Sequence, residues 1–369
     1  MNCERTQPRH DAEGPAACTG GLERDYGLDV LKAFGILLVL FYHLEPLQFS
    51  SVGDASRLSR VPGDILSVAH QESVVAVPLL VLVSLLLLCR KSLANARYIS
   101  KRLRRLSEIL LVWVLVQTLV WLVLDACLGS SSAAGQPQGI LHVVLMGGPS
   151  LPIVGGSVFF FLVDLLLLTA IAFVPLQFDA VSRRSLCIGW IGASILYFEI
   201  CSLLGWTVPY WRLDNFLMYV PAAWLLAASR PSRRLIYVFV LGFIGFTAHD
   251  VILKIVFHHG MNAYAKNSVF FGALSVYAIV QSLNLVRQSD AVRFLAVYSL
   301  GIFALHKYWM VLPGLASDKV FAVLRWPTAL TACDVRFQVI GLANAVVVVA
   351  LTLGSVYLAS LTPLKRYVS

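Results

Sequence analysis

Ten apolar stretches, each long enough to cross a bilayer, run through this chain at roughly 28–48, 74–90, 107–128, 157–176, 185–205, 209–229, 234–257, 267–285, 293–313 and 337–360. The predicted fold class is therefore all-α: a polytopic integral membrane protein of about ten transmembrane helices. Composition agrees, because 58% of the 369 residues are hydrophobic and only 13% are charged, where a soluble domain is nearer a quarter charged. The connections between the stretches are too short to bury a core of their own. Any chemistry has to take place between helices.

The net charge of +9 raises nucleic acid as a partner, but the basic residues form no reading motif on one solvated surface. They sit between the apolar runs instead, where they orient a membrane protein. With the N-terminus inside, the inner side collects 19 of the 29 Lys and Arg residues, including Arg90, Lys91, Arg97, Lys101, Arg102, Arg104, Arg105, Lys365 and Arg366. The long connection 129–156 carries none. Three units are expected: a disordered cytosolic tail at 1–27, one ten-helix domain at 28–362, and a cytosolic C-terminal tail at 363–369. No cleavable signal peptide is expected, since no apolar core precedes the first long run. The seven cysteines form no CxxC pairing, and no metal site is suggested.

The first apolar run reads DVLKAFGILLVLFYHLE and holds Lys32 and His43. Eleven residues at 100° each leave them only about 20° apart around a helix and about 16 Å apart along it, so they line one face. An ionisable residue inside a membrane helix is expensive to keep and is by default a functional candidate. The bland reading is that Lys32 snorkels to the headgroups and His43 hydrogen-bonds a neighbouring helix. A second constellation, VPLLVLVSLLLLCRKSLANARYISKRLRRL, ends in a basic connection. There Arg102 and Arg105, three residues apart, share a face if the next helix starts early, and two guanidinium groups suit phosphate. Stop-transfer charge with attraction to anionic lipid is the competing account. A third, LAVYSLGIFALHKYWM, puts His306 and Lys307 in the ninth run, with His306 either a substrate contact or a hydrogen-bonded structural residue. Asp164, Glu199 and the pair His249–Asp250 are further buried ionisable groups, placed as supporting residues. No GxSxG elbow, Walker loop or HExxH is present, which leaves the corresponding hydrolase, nucleotidase and zinc-protease readings without support.

These blocks resemble, in order, the membrane acyltransferase 3 family, bacterial O-acyltransferases that modify exopolysaccharide, O-antigen, peptidoglycan, Nod factors or macrolides. RDYGLDVLKAFGILLVLFYH resembles the family's opening, in which a basic residue precedes a His by eleven positions; here these are Lys32 and His43. SKRLRRL resembles its Arg-x-x-Arg element, Arg102 and Arg105, and SLGIFALH resembles its late helix ending in His, here His306. The chain departs from the pattern at Ser84-Leu85, where Ser-Gly is usual, and at Ser107-Glu108, where proline is usual. The resemblance implies transfer of an acyl group, expected to be acetyl, from cytosolic acyl-CoA to a hydroxyl. His43 would be the catalytic residue, Lys32, Arg102 and Arg105 would hold the CoA, and His306, Glu45, Asp29 and Asp164 would support substrate. No resident cofactor is expected. The expected partners are acyl-CoA, a glycan or lipid-linked oligosaccharide acceptor, membrane lipids and polysaccharide assembly proteins, in the cytoplasmic (inner) membrane. Rival functions are a flippase for a lipid-linked glycan, a structural or assembly subunit, and an acyltransferase acting on an antibiotic or other small molecule.

Overall fold

A computed structural model describes residues 25–44, 70, 72–94, 97–128, 159–227, 230–257, 259, 262–283, 285, 289–310 and 335–369, with the helix path alone at 94, 117, 120–128 and 335–340. Among these residues there is helix and no strand. The α-helices are α1 Tyr26–Leu44, α2 Ala76–Ala94, α3 Arg97–Leu128, α4 Phe160–Ile171, α5 Phe173–Leu176, α6 Ala180–Leu203, α7 Tyr219–Ala227, α8 Arg233–Val256, α9 Asn267–Ser282, α10 Asp290–Val297, α11 Ser299–Trp309, α12 Val335–Ser360 and α13 Lys365–Val368.

The bundle is built around α2. Its sequence is apolar on every side, which only a helix surrounded by others can satisfy, and Leu79, Val81, Leu82, Leu85, Leu86 and Leu88 are fully buried. Helices α1, α3, α4, α7 and α9 pack on it. By contrast α6 and α8 expose their apolar side chains, among them Val181, Leu196, Tyr237 and Leu241. A wide apolar exterior on long helices is tolerated in hydrocarbon and not in water. Among the described residues five helices are long and apolar enough to cross a membrane: Tyr26–Leu44, Ser73–Leu93, Ala180–Leu203, Arg233–Val256 and Gly341–Ser360. This is a membrane protein.

Helix lies at each of the ten expected segments, but three differ from the expected continuous rods. The third begins at Arg97, ten residues before the apolar boundary at 107. Its first turns are charged residues with good helix propensity, and Arg104 pairs with Glu108 at 2.9 Å one turn on. The sixth is irregular at its start and helical only later, with a 3-10 turn at Leu213–Asn215 and α7 from Tyr219. The irregular backbone before them is satisfied by side chains: Asn262 accepts from Val208 N at 2.7 Å and donates to Trp206 O at 2.9 Å, and Asn215 donates to Pro209 O and Tyr210 O. The ninth is interrupted at Tyr298, between α10 and α11.

One end of the bundle gathers the basic connections. Arg90 pairs with Asp25 at 3.0 Å, and Ser289 N donates to the Tyr26 hydroxyl at 3.2 Å. Residues 363–369, expected as a tail, are folded here: Trp113 Nε1 donates to Tyr367 O at 3.2 Å and Arg105 to Ser369 O at 3.0 Å. Val368 lies so close to Gly301 that a Cβ at 301 would stand 2.7 Å from Val368 Cβ, which is why α11 carries glycine there. The opposite end is tied by buried charge. Lys266 donates to Glu72 Oε1 at 2.8 Å, and Ser268 Oγ lies 2.5 Å from Asp250 Oδ2 and 3.3 Å from Glu72 Oε1. Beside this network Glu199 accepts from Asn267 at 3.1 Å and lies 3.3 Å from His249 Nε2. Glu199, His249 and Asp250 thus join helices to one another.

Candidate active site

A cavity of about 310 Å³ opens between α1, α2, α3, α4, α10 and α11 at the basic end. Lys32, Arg102 and Arg105 all line it, with Ser84, Tyr98 and Lys101 beside them and Leu165, Leu300 and Phe303 on the apolar wall. The early start of α3 is what brings the two arginines there, since a helix starting at 107 would leave both in a connection. Arg102 donates to the hydroxyl of Ser84, the only polar side chain in the apolar run of α2. Its Nε is buried and makes no hydrogen bond with the described residues. Arg105 reaches Ser369 O. The break at Tyr298 also belongs to this wall, because Ala296, Val297, Ser299 and Leu300 on either side of it all line the cavity.

Higher on α1 lies a second cluster. Lys307 Nζ stands 3.0 Å from His43 Nδ1, and the His306 ring stacks on His43 with centroids 5.1 Å apart and planes 29° apart. Tyr42 meets His43 edge-on at 5.2 Å and stacks on His70 at 5.0 Å. His306 Nδ1 is 2.7 Å from Phe303 O. A carbonyl only accepts, so Nδ1 carries the hydrogen and Nε2 keeps its lone pair. That lone pair is buried and makes no hydrogen bond with the described residues. Phe303 therefore belongs to both places: its side chain lines the cavity, and its carbonyl holds His306.

Of the expected site residues, Lys32, Arg102 and Arg105 share the cavity and His43 and His306 share the cluster. Asp29 is buried near the start of α1, and Asp164 is buried in α4 with Oδ2 making no hydrogen bond with the described residues; neither lines the cavity. Glu45 lies outside the described residues. Lys307 was visible as a charge in the ninth run, but its place against His43 is a contact between α1 and α11, far apart in sequence. Ser84, a lone hydroxyl in an apolar helix, was a signal for a buried polar partner.

A family model described as an acyltransferase domain, Acyl_transf_3, matches residues 25–362. The chain belongs to the acyltransferase 3 family. Membership makes it a membrane acyltransferase, and the matched span runs from the start of α1 past the end of α12, so it includes both the cavity and the histidine cluster. No curated protein and no solved structure matches the chain.

Proposed function

We propose that this family member is an O-acyltransferase, most simply an O-acetyltransferase, that moves an acyl group from cytosolic acyl-CoA to a hydroxyl of an exported or cell-surface glycan or its lipid-linked precursor. The observation that carries this reading is the arrangement along α1 and α11. A cavity walled by Lys32, Arg102 and Arg105 stands at the basic end, and a stacked histidine pair lies further along the same two helices. The phosphates of CoA would meet the cations at the mouth. The pantetheine arm, a narrow chain, would enter past Leu300 and Phe303 toward His43, which lies about 16 Å along α1 from Lys32.

In the reaction the acceptor oxygen attacks the thioester carbonyl. A C–O bond forms, the C–S bond breaks, the hydroxyl proton passes to an imidazole nitrogen, and the CoA thiolate leaves and takes up that proton as the thiol. Lys307 occupies His43 Nδ1, which leaves Nε2 for the substrate. Nε2 can accept a proton only when Nδ1 carries hydrogen and gives it to Lys307, so in the reacting state Lys307 is the neutral amine that fixes the tautomer. An ammonium at 307 would donate to Nδ1 and leave Nε2–H, a donor with nothing to accept. His306 Nε2 would receive a neighbouring hydroxyl of the same acceptor, a role that suits the vicinal hydroxyls of a sugar.

The chain would cross the cytoplasmic membrane ten times with both termini in the cytosol. The shared end of Asp25, Arg90, Arg105 and Tyr367 supports this, and so does the charge count. Reporter fusions should place 91–106 and the C-terminus inside and 129–156 outside; a C-terminus on the far side would overturn the ten-span count.

Purified protein given radiolabelled acetyl-CoA and a cell-surface glycan should label the glycan, whereas a flippase would leave the label on CoA. The same assay separates donor binding from membrane orientation at the arginines. Bonds to CoA phosphates act in ground and transition states alike, so weakening them raises KM for the donor more than it lowers kcat. Loss of one charged hydrogen bond corresponds to about 1.5–3 kcal/mol, roughly ten- to hundredfold in KM. Arg102→Lys and Arg105→Lys should both show this, because an ammonium is no planar fork. If both variants bind donor as the parent does, only their positive charge matters and the phosphate assignment fails.

A further inference from the structure

Four of the α3 residues that line the cavity at the basic end share one stripe of the helix: Tyr98, Arg102, Arg105 and Ile109. At 100° per residue they fall within about 60° of one another, and at helical rise Tyr98 precedes Arg102 by about 6 Å and Ile109 by about 16 Å. The stripe therefore changes chemistry in a fixed order, from an aromatic ring through two guanidinium groups to an apolar side chain. The arginines are already placed on the donor phosphates. The tyrosine at the head of the stripe has as yet no role.

Tyr98 is held so that one face of its ring is taken and the other is left to the cavity. Lys91, in the last turn of α2, stands with Nζ 5.1 Å over the ring centroid. Tyr98 lines the cavity and Lys91 does not, so the cation covers the face turned away from it. The phenol end lies beside the Arg102 guanidinium, one turn on. A cation on one face draws π density from the other, and this lowers the repulsion that otherwise keeps aromatic rings from lying face to face. The cavity side of Tyr98 is thus a preformed surface for a flat, electron-rich ring. Tyrosine is also common at the membrane boundary as a headgroup anchor. Such an anchor faces lipid, whereas this ring stands on a cavity wall between two cations.

We propose that Tyr98 is the platform on which the adenine of acyl-CoA stacks, and that it makes the site select a thioester borne on a nucleotide over one borne on phosphopantetheine alone. The platform rests on the donor reading given above and adds to it a choice between donor classes. From its outer end acyl-CoA presents a purine, then phosphates, then the narrow pantetheine arm that carries the acyl group. From the basic end inward α3 presents a ring, then two guanidinium groups, then Ile109, in the same order. Stacking gives the purine a surface and the planar guanidinium groups give the phosphates theirs. A carrier-bound phosphopantetheine brings a phosphate and the arm without a purine, and would leave Tyr98 uncovered.

The test uses full-length protein in neutral detergent, titrated calorimetrically with CoA and, separately, with 4′-phosphopantetheine. Removing an aromatic ring from beneath a base should weaken binding by about tenfold or more. Tyr98→Leu should show that weakening for CoA and keep the parent's affinity for 4′-phosphopantetheine, which also shows that the variant is folded. Tyr98→Phe keeps the ring and should recover most of the CoA affinity that Tyr98→Leu loses. Tyr98→Leu with the parent's affinity for CoA would overturn the platform and leave the donor reading standing. So would Tyr98→Phe no tighter than Tyr98→Leu, which gives the role to the hydroxyl beside Arg102, and so would equal weakening of 4′-phosphopantetheine, which marks general damage to the cavity. A parent protein that binds no CoA would overturn the donor reading and the platform together.

Discussion

His43→Ala is expected to lower acyl transfer by at least about a hundredfold while the protein still inserts and still binds acyl-CoA, because a positioned general base contributes about 10²–10⁴. The partner on the other side of the ring makes the expectation sharper. Lys307→Met removes the group at Nδ1 and leaves His43 free to take either tautomer, so a moderate loss in kcat is expected with donor KM unchanged. Lys307→Arg keeps the charge type and is conservative on paper, yet it should be the worse variant. Arginine stays protonated in proteins and can only donate, so it holds His43 as the Nε2–H tautomer, which cannot accept a proton. Measured kcat for the three variants, with acyl-CoA binding as the control, decides this. Arginine active above methionine would show that Lys307 serves as a cation, and an active His43→Ala would return the whole cluster to a structural role.

The second large effect is expected at the far end of the bundle. Lys266 is 2% exposed and holds Glu72 at 2.8 Å, with Asp250 joined through Ser268. Replacing it with Met removes the cation and leaves two buried carboxylates facing one hydroxyl. Breaking a buried pair from one side costs about 3–5 kcal/mol, a large part of the roughly 5–15 kcal/mol that keeps a domain folded. Lys266→Met should therefore lose several degrees in Tm or fail to accumulate in the membrane. Lys266→Met/Glu72→Gln should recover much of the loss, since removing both charges removes the orphan as well. A single variant with the parent's Tm would mean that the network contributes little.

What could be read beforehand follows from what each signal measures. Apolar length marks hydrocarbon, so helix was located at all ten segments, but it marks where lipid begins and not where helix begins. Hence α3 was placed ten residues late, although the charged turns from Arg97 to Leu106 are those that bring Arg102 and Arg105 to the cavity. Lys32 and His43 were legible because each is an expensive residue in an apolar run and their spacing on α1 is purely local. Lys307 stood equally plainly in the sequence, but its meaning lies in a contact between α1 and α11 that no spacing encodes. Glu72 and Lys266 were invisible for the same reason, each reading as a charge at the edge of a span until the fold joined them. The folded stretch from Lys365 to Val368 was read as a tail because its charges hide Val368, the residue that docks against Gly301.

The interruption at Tyr298 leaves α11 as an eleven-residue rod, about 16 Å long. Leu300 and Phe303 of that rod wall the cavity at the basic end, and His306 and Lys307, one turn further, hold His43. If acyl-CoA occupies that cavity as proposed, and the short rod moves as one piece, a donor that displaces Leu300 or Phe303 would carry Lys307 with them and re-aim the imidazole. The two substrates are then coupled without touching, and the coupling is reciprocal: whatever factor the donor lends to acceptor binding, the acceptor returns to the donor.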